Sequence, residues 1–337
     1  MEFNRLIKEN VAPYTALSIG LYNKAGKKQG TIPLGNLAFP NDLGEKLYSF
    51  GAVSDIHLSS AMGNDASEDF KKALTFFNEK ENVAFTCVCG DLTNWGIASE
   101  FANYKKHVDL YSPNTPVYAI SGNHDANDSA EYYQAETGAL TKDFNGLVPY
   151  TGKPLYYTFE VGNDLFVMLG MSRWDYGYTN DDIFTEESID WLENVLEANK
   201  TKRIFLFQHA LDFNGCGKPY IGSPTGNMLK VPLGVRFLNI LKDRSNVIWF
   251  HGHSHMTFDS QEDNPMANYD FASGYHSVHI PSLATPREYE NSAYVGKTAE
   301  SEGYVVDVYE SYIVLRGRDF ANGKFLSEAN YLIKTAV

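Results

Sequence analysis

The stretch NVIWFHGHSHMTF at 246–258 runs from apolar residues directly into three histidines, His251, His253 and His255, each two positions from the next. Residues two apart in extended backbone turn to the same side, and neutral imidazole is the commonest metal ligand among side chains. A single histidine at a strand end is ordinarily a satisfied polar cap. Three within five residues point instead to a metal site, whose other ligands must come from elsewhere in the chain.

Along the rest of the chain, short apolar runs alternate with helical periodicity. YSFGAVSD precedes a helical stretch at 66–80, VAFTCVCGD precedes one at 98–111, and PVYAISGNHD leads into a less regular segment. PLYYTFEVGNDLFVMLGM reads as a hairpin turning at Gly162–Asp164; helices at 186–199 and 232–243 precede RIFLFQH and NVIWFHGHSH. The end is β-rich, with EGYVVDVYESYIVLRGRDF turning at Glu310–Ser311. Strands feeding loops between helices define an α/β architecture. Residues 1–45 read differently: TALSIGLYNKAGKKQGTIPLGN has two strand-like pieces around a Lys/Gly-rich turn, a β-hairpin pattern. The segment is read as appended to a catalytic domain spanning 46–337.

The composition bounds the function. At 337 residues, with 43% hydrophobic and 14% aromatic residues, the chain is long enough for one large catalytic domain with additions, or for two domains. A net charge of −14 and a pI near 5.1 argue against a nucleic-acid or anionic-membrane partner, since both require a basic face. Cys87 and Cys89 lie in an apolar strand-like run and Cys216 in a Gly/Pro-rich loop; an odd count without a framework suits a reducing compartment. The start carries no apolar signal segment and no run approaches a membrane span, so a cytoplasmic protein is expected.

Each strand end carries metal-ligand chemistry: Asp55 and His57 in SDIHL, Asp91 in GDLTN, Asn123, His124 and Asp125 in GNHD, His209 in FQHA, and His253 with His255 in GHSH. Polar clusters at the C-terminal edge of buried strands are where α/β folds place their ligands. Any one of these motifs alone is weak, but five in order are not incidental.

The series D-x-H, G-D-x-x-N, G-N-H-D, H, G-H-x-H resembles the calcineurin-like metallophosphoesterase superfamily from about Tyr48 to Leu315, and GDLTNWG resembles its cyclic-nucleotide and glycerophosphodiester phosphodiesterase branch. The resemblance implies a four-layer α/β/β/α sandwich of two mixed sheets flanked by helices, around a dinuclear metal centre. It further implies Asp55, His57 and His255 at a first metal, Asn123, His209 and His253 at a second, and Asp91 bridging them. His124 would stand over the substrate with Asp125 beside it, both as catalytic residues. The chain departs from the family after His209, where ALD replaces the proline of many relatives.

Mixed carboxylate, carboxamide and imidazole donors suit two transition-metal ions such as Mn, Fe or Zn. Two dications, two carboxylates and a bridging hydroxide leave a local charge of about +1, enough to attract phosphate inside an acidic protein, because distant charge is screened over about 8 Å. The expected activity is hydrolysis of a small phosphodiester by that hydroxide, with a phosphomonoesterase or protein phosphatase as the near alternative and a non-catalytic scaffold as the distant one. The N-terminal segment also leaves room for attachment to a larger particle. Outside the ligand set, His251 is read as a strand-end residue and His107 as a surface residue. His276 and His279 meet the site only if YHSVHIPS runs beside it, and Arg287 is read as a surface ion pair before a phosphate grip.

Overall fold

The computed structural model describes residues 43–126, 155–172, 183–211, 216–217, 228–258, 268–271, 273–290 and 293–335, together with the strand backbones at 2–10, 16–22 and 28–33. The chain begins with β1 (Glu2–Asn10), β2 (Ala16–Tyr22) and β3 (Lys28–Pro33), followed by β4 (Lys46–Val53). Helix α1 (Asp65–Thr75) passes into a π-helical stretch (Phe76–Glu81), and β5 (Phe85–Cys89), α2 (Ala98–Tyr111), β6 (Val117–Ile120), β7 (Tyr156–Val161) and β8 (Asp164–Leu169) succeed it. Next come α3 (Glu186–Ala198), β9 (Ile204–Phe207), α4 (Pro232–Leu241), β10 (Val247–His251), β11 (Tyr269–Asp270) and β12 (His276–His279). The chain closes with β13 (Arg287–Glu290), β14 (Ala293–Lys297), β15 (Glu302–Tyr309), β16 (Tyr312–Asp319) and β17 (Lys324–Lys334).

Two mixed sheets form, in the orders β3-β2-β1-β17-β16-β15-β4-β5-β6 and β11-β12-β10-β9-β8-β7, with β13 and β14 as a separate pair. The β4, β5 and β6 strands run parallel, as do β8, β9, β10 and β12. The ligand-bearing loops therefore leave the same edge of each parallel block. Strand periodicity explains the layers. Phe50 and Ala52 of β4, Phe85 and Cys87 of β5, Phe205 and Phe207 of β9, and Ile248 and Phe250 of β10 meet in the core between the sheets. Intervening residues turn outward: Val53 and Val88 pack with Phe70, Leu74 and Phe101 of α1 and α2, while Leu206 and Trp249 pack with Leu192 and Phe237 of α3 and α4. With both faces buried, these strands read as continuous apolar runs. The fold is the four-layer α/β sandwich that the sequence resemblance implies.

The helix ends follow from capping chemistry. Asn64 accepts the Ser67 N–H at the start of α1, Thr185 and Ser188 form a reciprocal box at α3, and Pro232 opens α4. At α2 the sequence reading needs correction. His107 faces inward with 1% exposure, its Nδ1 2.8 Å from the Asn103 carbonyl oxygen and its ring centroid 5.9 Å from that of Phe70. The inward neighbour lies on another part of the chain, which periodicity alone could not supply. At the N-terminus β2 and β3 pair antiparallel, as the Lys/Gly-rich turn suggests, and a further strand, β1, pairs with β17 through Lys8 and Asn330. Strands β11 to β14 and β17 carry no pattern that the sequence reading marks as strand. Among the described residues no helix is long and apolar enough to cross a membrane.

One buried ion pair ties the sheets together away from the metal-ligand edge. Arg203, just before β9, meets Asp164 of β8 through Nε and Nη2 at 2.9 and 2.6 Å, and donates through Nη1 to the Tyr309 carbonyl at the end of β15 at 2.7 Å. Tyr48 of β4 donates to the same Asp164 carboxylate at 2.6 Å. Removing one partner of such a pair leaves the other charge buried and uncompensated. Asp164→Ala should therefore lower unfolding free energy by about 3–5 kcal/mol in urea titrations. The double replacement Asp164→Leu, Arg203→Met should cost clearly less than the single one; an equal or larger loss would show that the pair is not the source of the effect.

Candidate metal centre

The candidate ligands occupy turns that the backbone adopts only under constraint. Among the described residues seven that are not glycine have positive φ, and five of them are Asp55, His57, Asp91, His253 and His255. Such conformations are unfavourable for residues with a Cβ and concentrate at functional sites. Hydrogen bonds between loops hold them. The Asp55 N–H donates to the Gly90 carbonyl at 3.1 Å, and the His57 N–H to the Asp91 carbonyl at 3.0 Å, so the loop after β4 lies along the loop after β5. The Gly252 N–H donates to the His209 carbonyl at 3.1 Å, and the Arg287 N–H to the His255 carbonyl at 2.7 Å.

The carboxylates are each half satisfied. Asp55 Oδ2 accepts the His253 N–H at 3.1 Å and Asp91 Oδ1 accepts the His124 N–H at 2.8 Å. Their other oxygens, Asp55 Oδ1 and Asp91 Oδ2, are buried and make no hydrogen bond; neither does His209 Nε2. These atoms converge. Asp55 Oδ1 lies 3.0 Å from His255 Nε2 and 3.8 Å from His209 Nε2, and Asp91 Oδ2 lies 3.2 Å from His209 Nε2 and 3.6 Å from His57 Nε2. Buried unpaired donors and acceptors are costly, and their convergence fits a cation.

Second nitrogens fix the ring orientations. A carbonyl oxygen can only accept, so His209 Nδ1 donates to Cys89 at 2.7 Å, leaving its Nε2 to face the cluster. His255 Nδ1 is held by the Thr285 carbonyl at 3.1 Å and hydroxyl at 2.6 Å, and its Nε2 comes within 3.1 Å of His57 Nε2. This is the usual outer support of a metal-binding imidazole. Two donor groups result: Asp55, His57, Asp91 and His255, and Asp91, His209 and His253, with atoms in each within 4.8 Å of one another. Asn123 adds its Oδ1 3.0 Å from His253 Nδ1. All seven expected ligands thus come together, and Asp91 belongs to both groups.

The electrostatics agree with a cation site. Burial alone would raise the Asp55 and Asp91 carboxyls, yet the neighbouring imidazoles, His255 for the first and His209 for the second, hold both below the usual carboxylate range. Burial would lower His209, but Asp91 and Asp55 carry it up to about 10. His57 and His253 are pushed down to about 3 by burial and by their neighbours His255 and His209. Within the donor groups the two carboxylates thus favour the charged form and His57 and His253 the neutral form in which imidazole binds a metal.

His124 lies over this cluster, its ring edge-on to His57 at 4.5 Å and its Nδ1 2.7 Å from the Asn94 carbonyl oxygen. Asp125 requires correction as a catalytic residue. Its carboxylate accepts four hydrogen bonds, from the N–H groups of Leu92, Thr93 and Gly122 at 2.9–3.0 Å and from the Thr93 hydroxyl at 2.7 Å. It joins the GDLTN and GNHD loops instead of facing substrate; burial and Asp91 push it up to about 6. The adjacency of Asp125 to His124 in sequence concealed this, because their side chains leave the turn in different directions.

His251 stays outside the donor groups, with Nε2 2.9 Å from the Ser277 hydroxyl. YHSVHIPS does run beside the site, because β12 pairs with β10, and His279 Nε2 reaches the Ser254 hydroxyl of GHSH at 2.8 Å. His276, at the other end of that strand, meets Tyr269. Arg287 brackets the site with its backbone, next to His255. The loop after His209 falls mainly outside the described residues; within it Cys216 is buried near His251, with Sγ 3.5 Å from Nε2. Sequence reasoning missed Thr285 and Ser282. The Ser282 hydroxyl donates to the Asp55 carbonyl at 2.9 Å and accepts the Thr285 N–H at 2.9 Å, and no spacing in SLATP marks that role.

The chain matches the calcineurin-like phosphoesterase family over residues 48–257 and belongs to it. Its fold and donor cluster fit a metal-dependent phosphoesterase, a hydrolase acting on phosphoesters. Solved structures with weak likeness include a conserved uncharacterized protein from Streptococcus pneumoniae TIGR4, described as a predicted phosphoesterase, with 11% identity, TM-score 0.36 and coverage of 85% of this chain and 97% of that one. Vacuolar Protein Sorting 29 from Cryptosporidium parvum matches at 12% identity and TM-score 0.38, covering 87% and 100%. The cold-active protein-tyrosine phosphatase of a Shewanella species matches at 13% identity and TM-score 0.34, covering 97% and 100%. No curated protein sequence matches the chain.

Two glycines permit the close approach of these loops. A Cβ at Gly252 would lie 2.0 Å from Ser54 Oγ and 2.4 Å from Asp55 Oδ2, and one at Gly122 would lie 2.2 Å from Asp91 Oδ1. Gly252→Ala should therefore push the GHSH turn off Asp55 and lower metal content at least severalfold, measured by elemental analysis, while circular dichroism shows the fold retained. Full metal content in that variant would contradict the observed packing.

Proposed function

We propose that the protein is a dinuclear-metal-dependent phosphoesterase in which Asp55, His57 and His255 hold one ion, Asn123, His209 and His253 hold the other, and Asp91 bridges them. The single observation that carries this reading is the membership of Asp91 in both donor groups. The mixed nitrogen and oxygen donors suit Mn, Fe or Zn. When bound, such ions supply Lewis acidity toward phosphoryl oxygens and bring the pKa of water close to neutrality. The chain's own residues do the rest.

Asp91 and Asp55 keep one oxygen each on a backbone N–H, which fixes the direction of the other. His124, with Nδ1 committed to Asn94, has only Nε2 left to meet a leaving oxygen. To act as general acid there it must carry protons on both nitrogens; a proton then passes from Nε2 to the departing group. Asp125 serves as a positioning residue that holds the His124 turn against the Asp91 loop. A small phosphoester is the substrate class that the local cationic charge would draw into an acidic protein. The preference for a diester over a monoester rests on the resemblance of GDLTNWG alone.

Purified protein should carry up to two transition-metal ions per chain, and chelation should abolish hydrolysis of a p-nitrophenyl phosphodiester. Asp91→Asn removes charge shared by both sites, so it should deplete both, whereas His253→Ala should mainly deplete one; equal and mild losses would exclude the bridge. His124→Ala should keep its metals and lose about a hundredfold to ten-thousandfold on alkyl esters, with a smaller loss on p-nitrophenyl esters, whose phenolate leaves without a proton. An even loss across leaving groups would remove His124 from the acid role. Running mono- and diesters in parallel ranks the two substrate classes.

A further inference from the structure

Ser254 lies between His253 and His255, so one residue links a candidate ligand of each donor group. Both neighbours have positive φ, 72° and 61°, a backbone state that residues with a Cβ keep only when their surroundings impose it. Part of that constraint comes from within the turn. The Ser254 N–H donates to the Gly252 carbonyl at 2.9 Å, and the Ser254 hydroxyl oxygen accepts the Met256 N–H at 3.4 Å. From outside the turn, His279 meets the same buried hydroxyl with Nε2 at 2.8 Å.

His279 is itself firmly placed. It is wholly buried at the end of β12, in register with His251 of β10. Its N–H donates to the Asn268 carbonyl at 3.0 Å, and the following N–H, of Ile280, donates to the His251 carbonyl at 2.7 Å. The ring is also boxed by the loop after His209. At Gly217 a Cβ would stand 2.5 Å from His279 Cδ2, the carbon bonded to Nε2, so that backbone leaves the imidazole no room to swing towards it. His279 belongs to neither donor group. Its register partner His251 directs Nε2 to the Ser277 hydroxyl at 2.9 Å, within the sheet, whereas His279 directs Nε2 into the GHSH turn.

We propose that His279 is a positioning residue that acts through the Ser254 hydroxyl to hold His253 and His255 in place for their two ions together. This rests on the dinuclear reading above. A ring rooted in a regular strand passes its rigidity to an irregular turn by one hydrogen bond. Partners that orient metal ligands contribute about tenfold to a hundredfold in metal affinity. Because this bond meets the residue between ligands of different ions, its loss should weaken both sites.

The test titrates cobalt(II) into metal-free protein and follows its visible absorption, with thermal unfolding of the metal-free protein as the control for the fold. Wild type should take up two equivalents. His279→Leu and Ser254→Ala should each weaken both sites about tenfold to a hundredfold and change the cobalt spectrum, whereas His253→Ala should mainly affect one. His279→Gln, whose carboxamide can reach the hydroxyl, should restore most of the affinity. The double variant His279→Leu, Ser254→Ala should bind no more weakly than the weaker single one, because both remove the same bond. Ser254→Ala decides the matter alone if His279→Leu does not fold. Unchanged cobalt affinity in Ser254→Ala, a Gln variant no better than a folded Leu variant, or additive losses in the double variant overturn the role of His279 and leave the dinuclear reading intact. A wild type that binds no more than one equivalent overturns that reading, and the role of His279 with it.

Discussion

Asp55 and Asp91 are wholly buried, and each spends one oxygen on a backbone N–H while the other makes no hydrogen bond and faces imidazole nitrogens 3.0–4.0 Å away. Carboxylates taken out of water in this state are strongly unfavourable unless positive charge meets them. His209 supplies part of that charge, carried up by Asp91 and Asp55 against its burial, while burial and the neighbouring imidazoles His255 and His209 push His57 and His253 down. The unpaired oxygens converge with imidazole nitrogens in two donor groups that share Asp91, an arrangement suited to cations, and the other features of the site serve to keep those oxygens in place.

The means of keeping them in place is local strain held by tertiary contacts. Five candidate ligands sit at positive φ, a conformation that isolated strand-end turns would leave. Cross-loop bonds from Asp55 to Gly90 and from His57 to Asp91 hold it, together with the four hydrogen bonds accepted by Asp125. Glycines 122 and 252 allow the loops to touch where any Cβ would collide. Thr285 and Ser282 close the arrangement from the far side, one on the His255 ring and the other on the Asp55 backbone. The aromatic core between the sheets, where Phe50 stacks on Phe85 at 5.3 Å and meets Phe205 edge-on at 5.3 Å, is the rigid base from which these loops emerge.

Strand ends and their chemistry are written locally in the chain. A buried strand in this fold is a continuous apolar run, and its polar residues fall where the run stops, so SDIH, GDLTN, GNHD, FQH and GHSH could be located without coordinates. Helices α2 and α3 were legible for the same reason: a helical period is encoded within one stretch of chain, as is the Thr185–Ser188 box that starts α3. Partners far apart in sequence are settled by packing instead. Asp125 clamps a loop more than thirty residues earlier, His107 turns inward because Phe70 lies there, and Thr285 meets His255 only because the segment after β12 folds back across Asp55. The direction of a side chain leaving an irregular turn, and the identity of whatever stands opposite it, depend on long-range packing, which no local pattern of residues contains.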